Sequence, residues 1–219
     1  FGEFKAIEGK IYYGLGGIKS VGFEAISNII KEREKNGKYI TFLDFINRVN
    51  SKDVNKLQLE GLVKAGVFDE FDTDRNKILN SIPKIIQQIK NINDDKDSNQ
   101  SNLFDEQNDV KKGYEFLPSI PWKQKELLTE EFKSLGFYLS DHPLNNYKDA
   151  LSQYKVKSYK DFESQNENNG IIAGSLMSIK EKKTAKGSSF AILKLSDASK
   201  SYELFLFSEV LINNRDKIK

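Results

Sequence analysis

The spacing of apolar residues changes along this 219-residue chain, and that change limits the folds open to it. Ile18, Val21, Ala25, Ile26, Ile29 and Ile30 return at steps of three and four, the stripe of a buried helix face, and Asn36-Gly37 is a stop signal. Thr41 suits the cap of a second helix, with Asp44 three residues on and Phe42, Phe45, Ile46 and Val49 as its apolar face. Ser51 or Asn55 opens a third through Leu57, Leu59, Leu62 and Val63, closed at Ala65-Gly66. Asp72 or Thr73 caps a fourth through Ile78, Leu79, Ile82, Ile85, Ile86 and Ile89, with a kink or restart expected at Pro83. A short hairpin comes first: Phe4, Ala6, Ile11 and Tyr13 alternate with polar residues around Glu8-Gly9. After Asn168-Asn169-Gly170 the texture turns to strand, in three runs at 171–179, 190–195 and 202–207. Three strands leave a sheet unclosed. The expected class is α+β, mainly helical and ending in the first strands of a β domain.

Between these parts the chain reads differently. Residues 91–113 have no periodicity, which marks a flexible linker. The formal charge of +2 divides into +3 over 1–90, −4 over 91–118 and +3 over 119–219. We therefore expect an N-terminal helical region 1–90, an acidic linker 91–118, a helical connector 119–168 and an incomplete β domain 169–219. Within the connector, 123–138 reads as helix stopped by Asp141-His142-Pro143, and 147–162 as helix and loop. The first residue is Phe1, as expected of an internal piece of a longer chain. The absence of Cys excludes a disulfide scaffold, a thiolate metal cluster and a Cys nucleophile, and it fits a reducing cytoplasm. No apolar run reaches the roughly 18 residues of a membrane span. Only four of 34 basic residues are Arg and 19 residues are Asn, a composition that follows an AT-rich genome and cautions against reading every Lys run as a nucleic-acid patch.

Four short segments carry chemistry. Ile18-Lys19-Ser20-Val21-Gly22-Phe23-Glu24-Ala25, followed by Ile29, fits the helix-hairpin-helix pattern of apolar, x, Gly, apolar, Gly, three x, Ala, with Ser20 at the first Gly position. In that motif the hairpin tolerates close backbone approach, and the next helix offers N–H groups to a phosphate. Leu62-Val63-Lys64-Ala65-Gly66-Val67-Phe68 is a looser second copy. Both also suit an ordinary turn with a glycine stop. Paired hairpins would grip a duplex without reading its sequence, through Lys19, Ser20, Val21 and Gly22 in one and Lys64, Ala65, Gly66 and Val67 in the other. In the linker, Gln100-Ser101-Asn102-Leu103-Phe104 places an apolar pair where nothing local buries it, which suits capture by a partner's groove or a turn tucked back onto the helices. Lys180, Lys182, Lys183 and Lys186 read as a basic loop between the first two strands, either a single-strand contact or a solvated face, with Phe190, Tyr202, Phe205 and Phe207 available to stack bases.

Taken together these segments resemble the alpha subunit of bacterial DNA polymerase III. Tyr13-Gly14-Leu15-Gly16-Gly17-Ile18-Lys19-Ser20-Val21-Gly22, Leu62-Val63-Lys64-Ala65-Gly66-Val67-Phe68-Asp69 and Leu135-Gly136-Phe137-Tyr138-Leu139-Ser140-Asp141-His142-Pro143-Leu144 are similar to that family's motifs, in its order. The departures are Gly17 for Ala, Ser20 for Gly and Asp141 for Gly. The resemblance implies a piece of the subunit's C-terminal half: the end of the fingers, tandem helix-hairpin-helix motifs, an internal sliding-clamp-binding peptide at Gln100-Ser101-Asn102-Leu103-Phe104, and the opening strands of an oligonucleotide-binding barrel. It implies duplex DNA, single-stranded DNA, the sliding clamp and other replisome subunits as partners. The parent would be a DNA-directed DNA polymerase, with Mg2+ held by palm carboxylates that this segment lacks. No catalytic or metal-binding residue is expected here. Asp94, Asp95 and Asp97 read as solvating charges of the linker, and His142 as structural. Two other readings remain from the residues alone: a helix-hairpin-helix repair adaptor without polymerase activity, and a scaffold recruited through its linker peptide.

Overall fold

Alternation around Glu8-Gly9 produces a two-stranded antiparallel ribbon, β1 (Lys5–Ile7) against β2 (Lys10–Tyr12). Glu8 and Gly9 both take positive φ, 50° and 74°, the conformation in which a two-residue turn matches strand twist. The computed structural model describes residues 1–97, 114–166, 168–185 and 187–218. Its contacts form two units, Phe1–Leu139 and Ser140–Lys219, divided inside the stretch expected to be one helical connector.

In the first unit the expected helices form with adjusted ends. They are α1 (Phe23–Asn36), α2 (Phe42–Arg48), α3 (Lys56–Lys64), α4 (Arg75–Asp97) and α5 (Gln124–Leu135). Thr41 caps α2 by accepting from the Asp44 amide at 3.0 Å. Asn55, not Ser51, opens α3 through a reciprocal box with Gln58. Asp74 holds the first turn of α4, its carboxylate accepting from the Lys77 amide at 3.1 Å. Neither expected cap, Asp72 or Thr73, holds that place; Asp72 instead pairs with the Lys77 ammonium at 2.8 Å. Pro83 neither ends nor restarts α4. Helix α5 stops at Gly136, whose φ of 84° suits the left-handed cap, well before Asp141-His142-Pro143.

The largest correction concerns the linker. Helix α4 continues to Asp97, so Asp94, Asp95 and Asp97 belong to its last turns. Ile92 packs on the core, and the Asn93 amide donates to the Val49 carbonyl at 3.2 Å. On the far side of the acidic stretch, the rings of Tyr114 and Phe116 lie 5.6 and 5.0 Å from Phe42. The Leu117 amide donates to Ser81 Oγ at 2.8 Å. Both ends of the expected linker are therefore packed structure, because sparse apolar residues find long-range partners that local periodicity does not reveal. Beneath them Ile26, Ile46, Leu59, Ile78, Ile82, Ile85 and Ile89 are buried, walled by Phe42, Phe45 and Phe68.

The second unit begins with a 3-10 turn, Pro143–Tyr147, and two short helices, α6 (Lys148–Gln153) and α7 (Tyr159–Ser164). An antiparallel meander follows, ordered β3 (Ser175–Lys183), β4 (Ser189–Ser196) and β5 (Ser201–Leu206), then α8 (Ser208–Asn214). Ala191, Leu193, Leu206 and Leu211 form its small core. Strand β3 starts four residues later than expected and, after a register shift between Leu176 and Ser178, runs on paired to β4 through Lys180, Lys182 and Lys183. It lies at an edge of this sheet, where lysines discourage pairing with another chain. The fold is α+β: a helical region, then a three-stranded antiparallel meander. Among the described residues, no helix is long and apolar enough to cross a membrane.

Candidate nucleic-acid interface

The first hairpin is built from alternating burial. After a 3-10 turn at Leu15–Gly17, Ile18 and Val21 sink into the core while Lys19, Ser20 and Gly22 stay exposed. Ser20 adopts φ 65°, a left-handed conformation that costs an L-residue roughly 1–2 kcal/mol. Its departure from glycine is therefore structurally meaningful. The Lys19 amide donates to the Ser134 carbonyl at 3.0 Å and the Val21 amide to Ile18 at 3.2 Å. Those two N–H groups are committed, and the Val21 side chain is buried. The free polarity lies one step further on. Gly22 caps α1 without any side-chain bond, and the first helical bond is Ile26 to Gly22. The first-turn amides of Phe23, Glu24 and Ala25 thus sit at the positive end of a 14-residue helix.

The hairpin is clamped to α3 at Gly61. A Cβ there would meet the Lys19 carbonyl oxygen at 2.8 Å and Val21 Cγ2 at 3.0 Å, so only glycine permits this approach. Ser134 at the end of α5 completes the junction, its hydroxyl donating to the Gly61 carbonyl at 2.8 Å.

The second copy has a different form. Gly66, φ 77°, ends α3. The Gly66 amide donates to Val63 and the Val67 amide to Leu62, each at 3.0 Å, the paired bonds of a Schellman stop. The Ala65 amide is likewise used, on Gly61 at 3.1 Å. Helix α4 begins only at Arg75. Ala65, Gly66 and Val67 therefore have no amide to offer a phosphate, which corrects that part of the expectation. Arg75, 6% exposed, reaches back to the Lys64 carbonyl at 3.0 Å, to Asp69 at 2.7 Å and to the wholly buried Glu131 at 3.2 Å.

What the second segment does supply is charge. Lys64 lines one shallow groove of about 100 Å³ together with Lys19, Ser20, Leu57, Glu60 and Lys133. The structure thus brings Lys19 and Lys64 to one groove and adds Lys133 from α5. Nothing local in the sequence marks Lys133, which lies far along the chain from both. Lys64 and Lys133 share Glu130 as a partner, at 3.1 and 2.5 Å. Burial alone would raise the Glu130 carboxyl, but the two ammonium contacts hold it below its ordinary range.

In the second unit, Lys180 and Lys182 lie on β3 rather than in a loop, opposite Ile192 and Phe190. With Lys194 and Phe205 they share one sheet face, since alternate positions point the same way. Phe205 and Phe207 are exposed, and the ring of Phe207 stacks 6.5 Å from Phe190. Lys183 falls on the opposite face. So does Tyr202, buried and stacked 4.3 Å from Tyr159, which removes it from the candidate stacking residues. Lys186 and the peptide Gln100-Ser101-Asn102-Leu103-Phe104 lie outside the described residues. His142 Nδ1 accepts from the Leu144 amide at 3.2 Å while Nε2 lies 3.1 Å from Ser196 Oγ.

Comparison with known proteins agrees with this reading of the first unit. Residues 2–78 match a family model for the helix-hairpin-helix motif. A DNA polymerase III subunit alpha from Buchnera aphidicola is 36% identical over 212 residues, covering 93% of this chain and 18% of that protein. The subunit from Chlamydia pneumoniae is 34% identical, over 95% of this chain and 17% of that protein. The subunit from Borreliella burgdorferi is 32% identical, over 95% and 19%. The chain spans about a fifth of the length of these relatives. Over nearly its whole length the chain is thus similar to a segment of one DNA polymerase III subunit alpha after another.

Proposed function

We propose that this segment is the DNA-gripping and processivity part of a bacterial replicative polymerase working in the cytoplasm. One observation carries the reading: an uncapped helix N-terminus at Gly22, inside the region that matches the helix-hairpin-helix model, follows directly on Lys19 and Ser20, which line a groove with Lys64 and, from outside that region, Lys133. Such a surface binds phosphates of a duplex without reading bases. The exposed face of β3, β4 and β5, with Lys180, Lys182, Lys194, Phe190, Phe205 and Phe207, takes single-stranded template, because aromatic planes stack bases while ammonium groups follow the backbone. Gln100-Ser101-Asn102-Leu103-Phe104 docks on the sliding clamp, and other replisome subunits join through the parent protein.

Nucleotidyl transfer belongs to the parent. Its Mg2+ is held by palm carboxylates of the parent, and this segment contributes DNA contacts rather than a catalytic step.

Fluorescence anisotropy of the chain with labelled duplexes of two unrelated sequences tests the proposal. Both duplexes should bind alike, and Lys19→Ser should flatten the dependence of log K on log salt by about 0.9. Replacing Lys180, Lys182 and Lys194 by Ser should flatten single-strand binding by about 0.7 for each lost contact and leave duplex binding alone. Leu103→Ala with Phe104→Ala should abolish clamp capture without changing DNA affinity. Duplex binding that ignores salt, or none at all, would refute the proposal.

A further inference from the structure

Two lysines of the groove beside the first hairpin are already held by a carboxylate that does not itself line the groove. Lys19, Lys64 and Lys133 reach it from three separate elements: the hairpin, the end of α3 and the end of α5. Two of them are already engaged, because Glu130 lies 3.1 Å from Lys64 and 2.5 Å from Lys133. The Glu130 carboxylate presents to these ammonium groups the same oxygen acceptors that a phosphate would. Lys133 is well exposed, with 62% of its side chain accessible, and so is free to swing away. Glu60, the carboxylate that lines the groove itself, leans toward Lys56 at a longer 3.9 Å. Lys19 makes no ion pair among the described residues and is ready for a phosphate as it stands.

We propose that Glu130 acts as a stand-in phosphate, holding Lys64 and Lys133 in place and giving them up to a duplex phosphate when DNA arrives. This rests on the duplex-binding reading above and adds a third lysine and a displaceable counter-ion to it. The arrangement lowers affinity in exchange for keeping two lysines oriented; Lys64 and Glu130 are largely covered, and the exposed Lys133 is the partner most readily screened and released. Glu130 is a positioning residue for DNA contact and takes no part in chemistry.

The test uses the whole chain and a labelled duplex over a salt series. Glu130→Gln should bind about threefold tighter at low salt, the size of one unit repulsion across a groove width in water, while Lys133→Ser should lose about 0.9 of salt slope. Glu130→Gln combined with Lys133→Ser should return toward the parent affinity. Amine acetylation of the unaltered chain supplies a readout that no folding defect can mimic: duplex should shield Lys19, Lys64 and Lys133 and leave Lys35 reactive. If Lys19→Ser weakens binding but Glu130→Gln leaves affinity and slope unchanged, and Lys133 stays reactive under duplex, the counter-ion proposal is wrong while the hairpin reading stands. A parent chain that binds no duplex overturns both.

Discussion

Replacing Gly61 by Ala sets helix propensity against tertiary contact with opposite signs. An exposed glycine within a helix costs about 1 kcal/mol relative to alanine, so propensity alone predicts that Gly61→Ala stabilises. The structure predicts the reverse. The new methyl would sit 2.8 Å from the Lys19 carbonyl oxygen and 3.0 Å from Val21 Cγ2, distances that force the hairpin away from α3. The hairpin cannot retreat freely, because the Lys19 amide is tied to Ser134 at 3.0 Å and Ser134 Oγ to Gly61 at 2.8 Å. Overpacking of this kind costs roughly 1–3 kcal/mol, and a strained or lost hydrogen bond adds about 1 kcal/mol. Set against the propensity gain, the net effect is a loss of about 1–3 kcal/mol, or several degrees in Tm for a unit of this size. Urea unfolding followed by circular dichroism gives the sign directly. Duplex affinity should fall with it, since Lys19 would leave the groove it shares with Lys64 and Lys133. A variant that is more stable than the parent and binds duplex equally would show that the hairpin is not clamped on α3.

Ser20→Gly relieves a left-handed residue, φ 65°, and should stabilise by about 0.5–1 kcal/mol after the extra chain entropy of glycine, measured as a rise in the urea midpoint. Arg75→Met removes a charged partner of the fully buried Glu131 and should cost about 3–5 kcal/mol; adding Glu131→Gln should recover part of it in the same unfolding assay. Burial lowers the His142 imidazole below its ordinary 6.5, against weaker upward pulls from Asp197, Asp141 and Ser196. The folded unit then binds fewer protons than the unfolded chain, so this contribution is complete above pH 6.5 and is lost as pH falls from there toward the folded value. As the only histidine, its ring gives one NMR titration, and a midpoint at or above 6.5 would contradict the burial.

Local rules were legible where local physics decides. The Glu8-Gly9 turn, the Thr41 cap and the Asn36-Gly37 stop all follow from chemistry within a few residues, and the structure has them. The second hairpin misled because Leu62 to Phe68 reads alike as a hairpin or as a Schellman stop. The choice depends on Arg75, which folds back over Gly66 from outside the motif. The extent of α4 past Ile89 was hidden for a similar reason: Asn93 and Lys96 earn their helical place through carbonyls of Val49 and Asn47. Lys180 and Lys182 looked like loop because lysines lower strand propensity, yet an edge strand accepts them. Lys133 joins the groove only through tertiary packing of α5 on α3.

The central claim is that a duplex phosphate sits on the uncapped start of α1 beside Lys19. Amide hydrogen exchange of the chain with and without duplex DNA measures this most directly. Protection should rise at Gly22, Phe23, Glu24 and Ala25, whose N–H groups face the ligand, and stay unchanged at Ala65, Gly66 and Val67, which already donate to α3. No added protection at 22–25 under saturating duplex, or protection confined to 65–67, would contradict the account.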